Sequence, residues 1–326
     1  MRYIRFLVIA LNMTLAVFFA DHSALASDYP DRSITLISPY APGGLTDVLT
    51  RLIAKRLSER LGQAVIVNNR TGGGGIIGME TAAKSPPDGY TIVMVSQGLA
   101  SVNASLYKNL PYDTLRDFVP ITLIASFPMV LVGNSAAPPK TVSDFVAAAR
   151  ANPGSLAYGS AGNASTAHLA MELLSHQIGI QVNHIPYRGE APAFSDLIGG
   201  NLSVMFATLG GAMPLIESGK FRPIAIATKS RSTLLPNVPT LMEQGVPNFE
   251  VTGWYGLLVP KKTPKIIIDR LSSELMAMAR EPEFREQLFA RGLEVVGSTP
   301  EVLAKMVESE TERWRDVVLK AGIKVD

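Results

Sequence analysis

Short β-rich runs alternate with helix-periodic segments along almost the whole chain, and this alternation limits the fold more than any other feature of the 326 residues. Ser33 to Ser38 reads as a strand, and Pro39-Tyr40-Ala41-Pro42-Gly43-Gly44 breaks it. Leu45, Val48, Leu49, Leu52, Ile53, Leu57 and Leu61 then recur at helical spacing until Gly62 stops the helix. Ala64 to Val67 is the next strand, followed by a glycine-rich turn, a helix near Gly78 to Ala83 and a third strand from Tyr90 to Ser96. Repeated βαβ units of this kind predict an α/β protein with mostly parallel sheets flanked by helices.

Val119 to Gly133 is apolar but broken by Pro128, so it reads as two extended segments carrying the chain into a second domain. There the alternation resumes through Val142 to Arg150, Leu156 to Ser160, Ser165 to Ile178, His184 to Tyr187, Ala191 to Ile198, Leu202 to Thr208 and Arg222 to Thr228. Gly253 to Val259 looks like a return strand, and the remainder is helical, with Pro264 and Pro300 at first-helical positions behind Thr263 and Thr299. A chain of this length usually splits into two domains. The expected division is a discontinuous domain I (27–125 and 250–326) and a domain II (126–249), with a ligand cleft where two crossing segments join them.

The first 26 residues should not count toward the fold. Arg2 and Arg5 precede an apolar run from Phe6 to Ala20, and Ala24-Leu25-Ala26 supplies a small-x-small exit. That pattern is a secretory signal peptide with cleavage expected after Ala26, which sends the protein to the periplasm. Asn12, Thr14 and Asp21 leave the run too short and interrupted for a spanning helix, which needs about 20 apolar residues. The chain has no cysteine, so an exported form has neither a disulfide framework nor a lipidation site. Its formal charge of +2 carries no nucleic-acid footprint and no polybasic membrane patch.

Two places share one physical arrangement. The strand ending near Ser38 turns through Pro42-Gly43-Gly44 into the helix at Leu45, and the strand ending at Ser160 turns through Ala161-Gly162-Asn163-Ala164 into the helix at Ser165. A helix start leaves backbone N–H groups without intrahelical partners, and the macrodipole makes the same end welcoming to an anion. Thr46, Ser160, Asn163, Ser165 and Thr166 add short side chains that cap or donate. One such loop alone is ordinary turn and capping chemistry; one in each domain, at the carboxyl ends of strands, is where an α/β protein binds its ligand. Asp47 suits the first turn of its helix, and it also stands where it could fix the Gly43-Gly44 loop or meet a hydroxyl or cationic group of a ligand.

At these residues the chain resembles the Bug family, the substrate-binding receptors of tripartite tricarboxylate transporters. The resemblance runs through Tyr29-Pro30, Pro42-Gly43-Gly44-Leu45-Thr46-Asp47, Asn69-Arg70 with the glycines at 72 to 75 and Gly78, and Asp88-Gly89-Tyr90. It continues through Tyr158-Gly159-Ser160-Ala161-Gly162, Pro186-Tyr187-Arg188-Gly189, Asp196-Leu197-Ile198-Gly199-Gly200, Arg231 with Leu235-Pro236 and Val238-Pro239-Thr240, and Trp254. Singly these motifs are weak; in this order they are specific.

The resemblance implies a two-domain periplasmic-binding fold with two interdomain crossings that closes on a small carboxylate, a di- or tricarboxylate or an aromatic acid. It implies no cofactor, a monomer, and delivery to membrane permease subunits. The implied ligand-binding residues are Pro42, Gly43, Gly44, Leu45, Thr46 and Asp47 in the first loop and Ser160, Gly162, Asn163, Ser165 and Thr166 in the second. Ser96 and Gln97 end the third strand in the same rim, and Tyr187 and Phe206 are expected to line the pocket. Leu45 stands where many relatives carry a small or polar residue, which points to a more apolar rim.

Other chemistries compete less well. Gly73-Gly74-Gly75-Ile76-Ile77-Gly78 has G-x-G-x-x-G spacing, but Asn68 to Gly72 separate it from its strand, so a tight packing turn is the better account. His168, Glu172 and His176 could share one helix face as metal ligands; a solvated polar face explains them more simply, and His184 reads as a packed polar residue. Ser160 lacks the first glycine of a G-x-S-x-G elbow, because Tyr158 occupies it, and no sequence signal pairs it with a histidine. Trp254 and Trp314 are expected in the core. A secreted hydrolase or metal-dependent enzyme using the same cleft, or a receptor for a sensor kinase, is the alternative.

Overall fold

The computed structural model describes residues 29–43, 45–187 and 189–321, so the leader expected over 1–26, Gly44 and Arg188 lie outside the described residues. The first half runs β1 (Ile34–Ser38), α1 (Leu45–Leu61), β2 (Val65–Asn69), α2 (Ile76–Ala83), β3 (Thr91–Ser96), a π-helical turn at Gly98–Val102, and the short helices α3 (Asn103–Leu106) and α4 (Thr114–Asp117). The long strand β4 (Phe118–Asn134) leads to α5 (Val142–Ala151), β5 (Ala157–Ser160), α6 (Thr166–Ile178), β6 (Asn183–Pro186), α7 (Glu190–Ile198), β7 (Val204–Thr208), α8 (Leu209–Glu217) and β8 (Phe221–Ile226). The chain returns through β9 (Thr252–Pro260) to α9 (Lys265–Met278), α10 (Pro282–Phe289), β10 (Glu294–Val295) and α11 (Pro300–Ala321).

Strand order is β2-β1-β3-β9-β4-β7-β5-β6, with β8 and β10 also pairing with β4. The outer strands are parallel, as the βαβ pattern predicts. The centre is not: β9 runs antiparallel to β3 and β4, and β4 runs antiparallel to β7 and β8. The long crossing strand and the return strand point opposite ways, so both halves of the sheet are mixed rather than mostly parallel.

The two extended segments expected over Val119 to Gly133 are a single strand. β4 pairs with β9 as far as Pro128 and with β7 and β8 from Met129 onward. Proline cannot donate to a ladder, so it survives in a strand only where pairing lapses. Pro120 sits at a register shift against β9, and Pro128 is the last residue paired with β9 before the partners change.

Both faces of the first half-sheet are covered. Ile34 and Leu36 pack with Leu49, Ile53 and Leu57 of α1 in one cluster, while Ile37, Val93, Val95 and Trp254 pack in another. A strand buried on both faces reads as a continuous apolar run rather than an alternating one, which explains Ile92 to Val95. Leu49, Ile53 and Leu57 are at most 1% exposed, and each contributes roughly 1.5–3 kcal/mol by burial. Trp254 and Trp314 are both fully buried, as expected. The glycine run forms a tight 3-10 turn at Gly73–Gly75 into α2, and Gly78 of α2 lies against Pro39, so it acts as a packing turn.

The backbones of the two halves approach closely at Gly98 and at Gly210. A Cβ on Gly98 would lie 2.8 Å from the Ala164 carbonyl oxygen, and one on Gly210 would lie 1.8 Å from the Arg291 carbonyl oxygen. Only glycine allows backbones this close. Helix α11 bridges both halves: Val307 meets the π-helical turn through the Ser101 hydroxyl, and Trp314 shares a core cluster with Leu169 and Leu173 of α6.

Candidate ligand-binding cleft

The first loop is built around Asp47. Its side chain is 3% exposed and accepts hydrogen bonds from the Gly43 N–H (3.0 Å), Arg51 Nε (2.9 Å) and Asn69 Nδ2 (2.8 Å). Asn69 also donates to the Tyr40 carbonyl at 3.0 Å and accepts from Arg51 at 3.1 Å. The loop between β1 and α1 is thereby tied to the end of β2, and Gly43 takes a φ of +90° within it. Burial pushes the Asp47 carboxyl up, but the bonds from Arg51, Asn69 and Gly43 outweigh it and hold the carboxyl below its ordinary range. Of the readings open to Asp47, loop fixing is the one this geometry supports. Its carboxylate faces inward, and the Gly43 amide is spent on it. Pro42 is exposed, and Leu45 packs partly buried on the core.

Beside this loop stand two hydroxyl pairs. Tyr40 Oη and Ser96 Oγ are 2.5 Å apart, and Thr46 Oγ1 donates to Tyr255 Oη at 3.1 Å. Ser96 and Tyr255 are register partners across β3 and β9, which brings the pairs together at the base of the cleft. Each pair holds two hydroxyl protons and needs only one between its oxygens, so each has an O–H to offer an anion. Burial pushes the Tyr40 phenol up to about 12, against the bond from Ser96. The Tyr255 phenol is raised mainly by burial and further by Tyr40 and by Glu190. Both phenols therefore stay protonated donors at neutral pH.

The second loop leaves β5 and enters α6. Ser160 is fully buried; its hydroxyl accepts the Gly162 N–H at 3.1 Å and lies 2.7 Å from His184 Nε2 and 3.0 Å from the Gly162 carbonyl. Gly162 takes a φ of +123° and Ala164 a φ of +61°, a conformation that L side chains rarely adopt. What holds Ala164 there is His168, whose Nδ1 accepts the Ala164 N–H at 3.2 Å. Ser165 caps α6 by accepting the His168 N–H at 3.3 Å. The Asn163 side chain is exposed and Thr166 is partly exposed on the same rim.

Beneath this loop lies a stacked column. The His168 and His184 rings are 4.0 Å apart at 6°, and Tyr158 stacks on His184 at 4.8 Å. Burial, and for His168 also the charge of His184, lowers their pKa to about 3 and about 4, so both are neutral. The polar face expected to be solvated at His168, Glu172 and His176 is therefore mostly covered. His168 is 5% exposed and Glu172 accepts the Tyr158 hydroxyl at 2.5 Å, because β6 lays His184 over the helix. His184 is packed, as expected. Among the described residues no group of three or more His, Cys, Asp or Glu could hold a metal ion.

Four expected site residues have side chains turned elsewhere. Phe206 does not line the cleft: it is fully buried and stacks on Phe249 at 6.0 Å, since its position on β7 faces the core shared with Val204. Gln97 is 1% exposed, and its amide donates to Glu310 of α11 at 2.6 Å and to the Thr252 carbonyl at 3.3 Å. The Ser160 hydroxyl is spent inside its own loop. Tyr187 stands next to that loop, donating its N–H to the Ser160 carbonyl at 3.1 Å, but its phenol turns to Asp196 at 2.5 Å. No sequence signal pairs Ser160 with a histidine, and the structure supplies the pairing, because β5 and β6 put Ser160 and His184 on adjacent strands; with the serine buried and the imidazole half-buried, the pair stiffens the loop.

Residues that sequence reasoning missed are Tyr40, Tyr255, Glu190 and Thr208. Tyr255 carried a signal, a phenol between Trp254 and Gly256 on the return strand. Glu190 carried one too, an acid directly after a glycine at a helix start.

The sequence model of the tripartite tricarboxylate transporter family receptor matches residues 49–323. The protein BugT of Bordetella pertussis is 36% identical over 301 residues, covering 92% of this chain and 92% of that protein. Among solved structures, Rpa4515 of R. palustris with adipate superimposes with a TM-score of 0.85 at 36% identity, covering 91% of this chain and 99% of that one. MatC of Rhodopseudomonas palustris with bound malate gives 0.81 at 31% identity, covering 89% of this chain and 100% of that one. The family model runs from α1 to the end of α11 and the relatives cover about nine-tenths of the chain, so the chain belongs to the tripartite tricarboxylate transporter receptor family, periplasmic-binding-fold receptors for solutes rather than enzymes.

Proposed function

We infer that the protein captures a small carboxylate between its two lobes by hinge closure and delivers it to the permease subunits of a tripartite tricarboxylate-type transporter. The observation that carries this reading is the approach of two donor sets, one from each lobe. Tyr40, Ser96, Thr46 and Tyr255 come from one lobe, and the Gly162–Thr166 loop comes from the other. The relatives with adipate and malate support a carboxylate as the ligand. A hydrogen bond to a charged group contributes about 1.5–3 kcal/mol, so three or four suffice for tight capture. The lobes divide close to residues 125/126 and 249/250, just ahead of the change of partner in β4 at Pro128; the leader is removed after Ala26 on export, and the receptor works as a monomer.

A thermal-shift screen with mono-, di- and tricarboxylates, aromatic acids and amino acids tests the reading. Ligand at a thousand times its Kd stabilises by about 4.1 kcal/mol. With an unfolding entropy of about 2.1 cal/mol/K per residue, or about 0.6 kcal/mol/K here, that is a rise of about 7 °C. No shift with any acid defeats the carboxylate assignment. N-terminal sequencing of the exported protein should begin at Ser27, and a strain lacking the receptor should lose uptake of the acid that shifts it.

A further inference from the structure

Glu190 is a carboxylate held at the carboxyl end of β7, on the same sheet edge as the second loop after β5. It is the first residue of α7, behind Gly189 with a φ of +111°, and its side chain reaches across to the end of β7. There one carboxylate oxygen accepts the Thr208 N–H at 2.6 Å and the other accepts the Thr208 hydroxyl at 2.7 Å. Thr208 in turn caps α8, with its Oγ1 accepting the Gly211 N–H at 3.2 Å. A Cβ on Gly211 would come within 2.7 Å of Glu190 Oε2, so the carboxylate lies directly on the first turn of α8. Glu190 thus occupies the start of two helices at once, where an anion is favoured. Two residues beyond Thr208, Gly210 lies against the Arg291 carbonyl of the opposite lobe, so this edge faces that lobe.

We propose that Glu190 determines the ligand class: as a resident carboxylate it fills the anion position of the second lobe at α8, so the cleft selects a monocarboxylate whose far end is uncharged or donor-bearing, and disfavours a second carboxylate. This deepens the carboxylate reading and rests on it. Two like charges about 5 Å apart at an effective dielectric of about 20 repel by an amount equal to on the order of 100-fold in Kd. The relatives with adipate and malate hold dicarboxylates; Glu190 would set this receptor apart from them.

The experiment is titration calorimetry of the mature protein with hexanoate and adipate, acids of equal chain length that differ by one carboxylate, and with benzoate as a second monocarboxylate. Wild type is expected to bind a monocarboxylate at least about 30-fold more tightly than adipate. Glu190→Gln keeps an acceptor for the Thr208 N–H and removes the charge, and should raise the affinity for adipate relative to hexanoate and benzoate by about that factor. Glu190→Asp keeps the charge and should keep the wild-type preference, which separates charge from a packing defect. Adipate binding to wild type as tightly as the monocarboxylates, or an unchanged ratio in Glu190→Gln, overturns the proposal alone. Failure of every acid in the screen to bind either protein overturns the carboxylate reading, and the proposal with it.

Discussion

Replacing Asp47 by Asn should loosen the first loop and weaken ligand capture together. The carboxylate receives donors on both oxygens: Gly43 N–H and Arg51 Nε on Oδ2, and Asn69 Nδ2 on Oδ1. The asparagine has one acceptor oxygen and one NH2, so whichever way it sits, a donor faces a donor. Losing one buried charge-assisted bond costs about 1.5–3 kcal/mol. The Arg51 side chain is 53% exposed, so solvent screens its share. A loss of roughly 1.5–3 kcal/mol, at about 0.6 kcal/mol/K, is a fall in Tm of about 2–5 °C at pH 7. The acid limb gives a second handle. Because the folded-state pKa lies below that of the unfolded chain, the unfolded chain takes the proton first as pH falls. The stabilisation is therefore complete above about pH 4 and is lost as pH drops through the folded pKa. Scanning calorimetry of both proteins from pH 7 to pH 3, with calorimetric titration of the acid found by the screen, measures both effects. An Asp47→Asn protein melting within about 1 °C of wild type at pH 7 refutes the loop argument. So does a full fall in Tm with an unchanged Kd, since the loop would then be stabilised without serving the ligand.

Gly98→Ala should leave the Tm of the ligand-free protein within about 2 °C yet weaken binding at least about tenfold, because its Cβ meets the Ala164 carbonyl at 2.8 Å across the cleft; an unchanged Kd removes this contact from closure. Tyr255→Phe deletes one of the hydroxyls with a proton to offer and should weaken binding roughly 5- to 30-fold, with little change in the apo melting point, and equal affinity argues against that donor. His184→Gln tests the neutral column. His184 and His168 titrate near 4 and 3 in the fold but near 6.5 unfolded, so the unfolded chain takes up protons first as pH falls below about 6.5 and stability declines, by up to about 1.4 kcal/mol per pH unit for each histidine, until the folded pKa is reached. The variant should show a shallower decline between pH 6.5 and 4, and an identical slope counts against a buried neutral His184.

Much of the fold was legible because its signals are local. The leucine spacing of α1, the glycine and Ser165 around the second loop, and the run at β3 each report a short-range rule, and the elements fall where those rules put them. The centre of the sheet was not legible, because strand direction depends on where the chain returns, and Gly253 to Val259 looks the same parallel or antiparallel. The cleft divides the same way. Both loops were found from their glycines and helix starts. Side-chain orientation decides the rest, and it is set by partners far off in sequence: Gln97 turns to Glu310, Thr46 to Tyr255, and Phe206 to Phe249. The His168–Glu172–His176 face read as solvated because helix periodicity cannot show that an edge strand covers it. Asp47 shows the opposite case, in which one residue offers two readings and only Asn69 and Arg51, brought in by β2 and the next helical turn, choose between them.

The bend that closes the lobes belongs where β4 changes partner. From Phe118 to Pro128 the strand is paired with β9, so this stretch moves as one piece. At Pro128 there is no N–H to hold, and beyond it β4 belongs to the second lobe. The neighbouring chain crosses at Thr252–Gly253, where a Cβ on Gly253 would fall 2.1 Å from the Phe127 ring. That ring in turn lies 5.1 Å from the Tyr255 ring. A methyl group at 253 must therefore push Phe127 toward the phenol that serves the ligand. Overpacking of this kind costs about 1–3 kcal/mol, or roughly 2–5 °C in Tm. Gly253→Ala should lower both Tm and affinity, and Phe127→Leu, which shortens the offending side chain, should restore most of each in the double variant. A double-mutant cycle on Tm and Kd reads the coupling. Purely additive effects would mean that Phe127 and Gly253 do not share the bend, and closure would have to be placed elsewhere along the crossing.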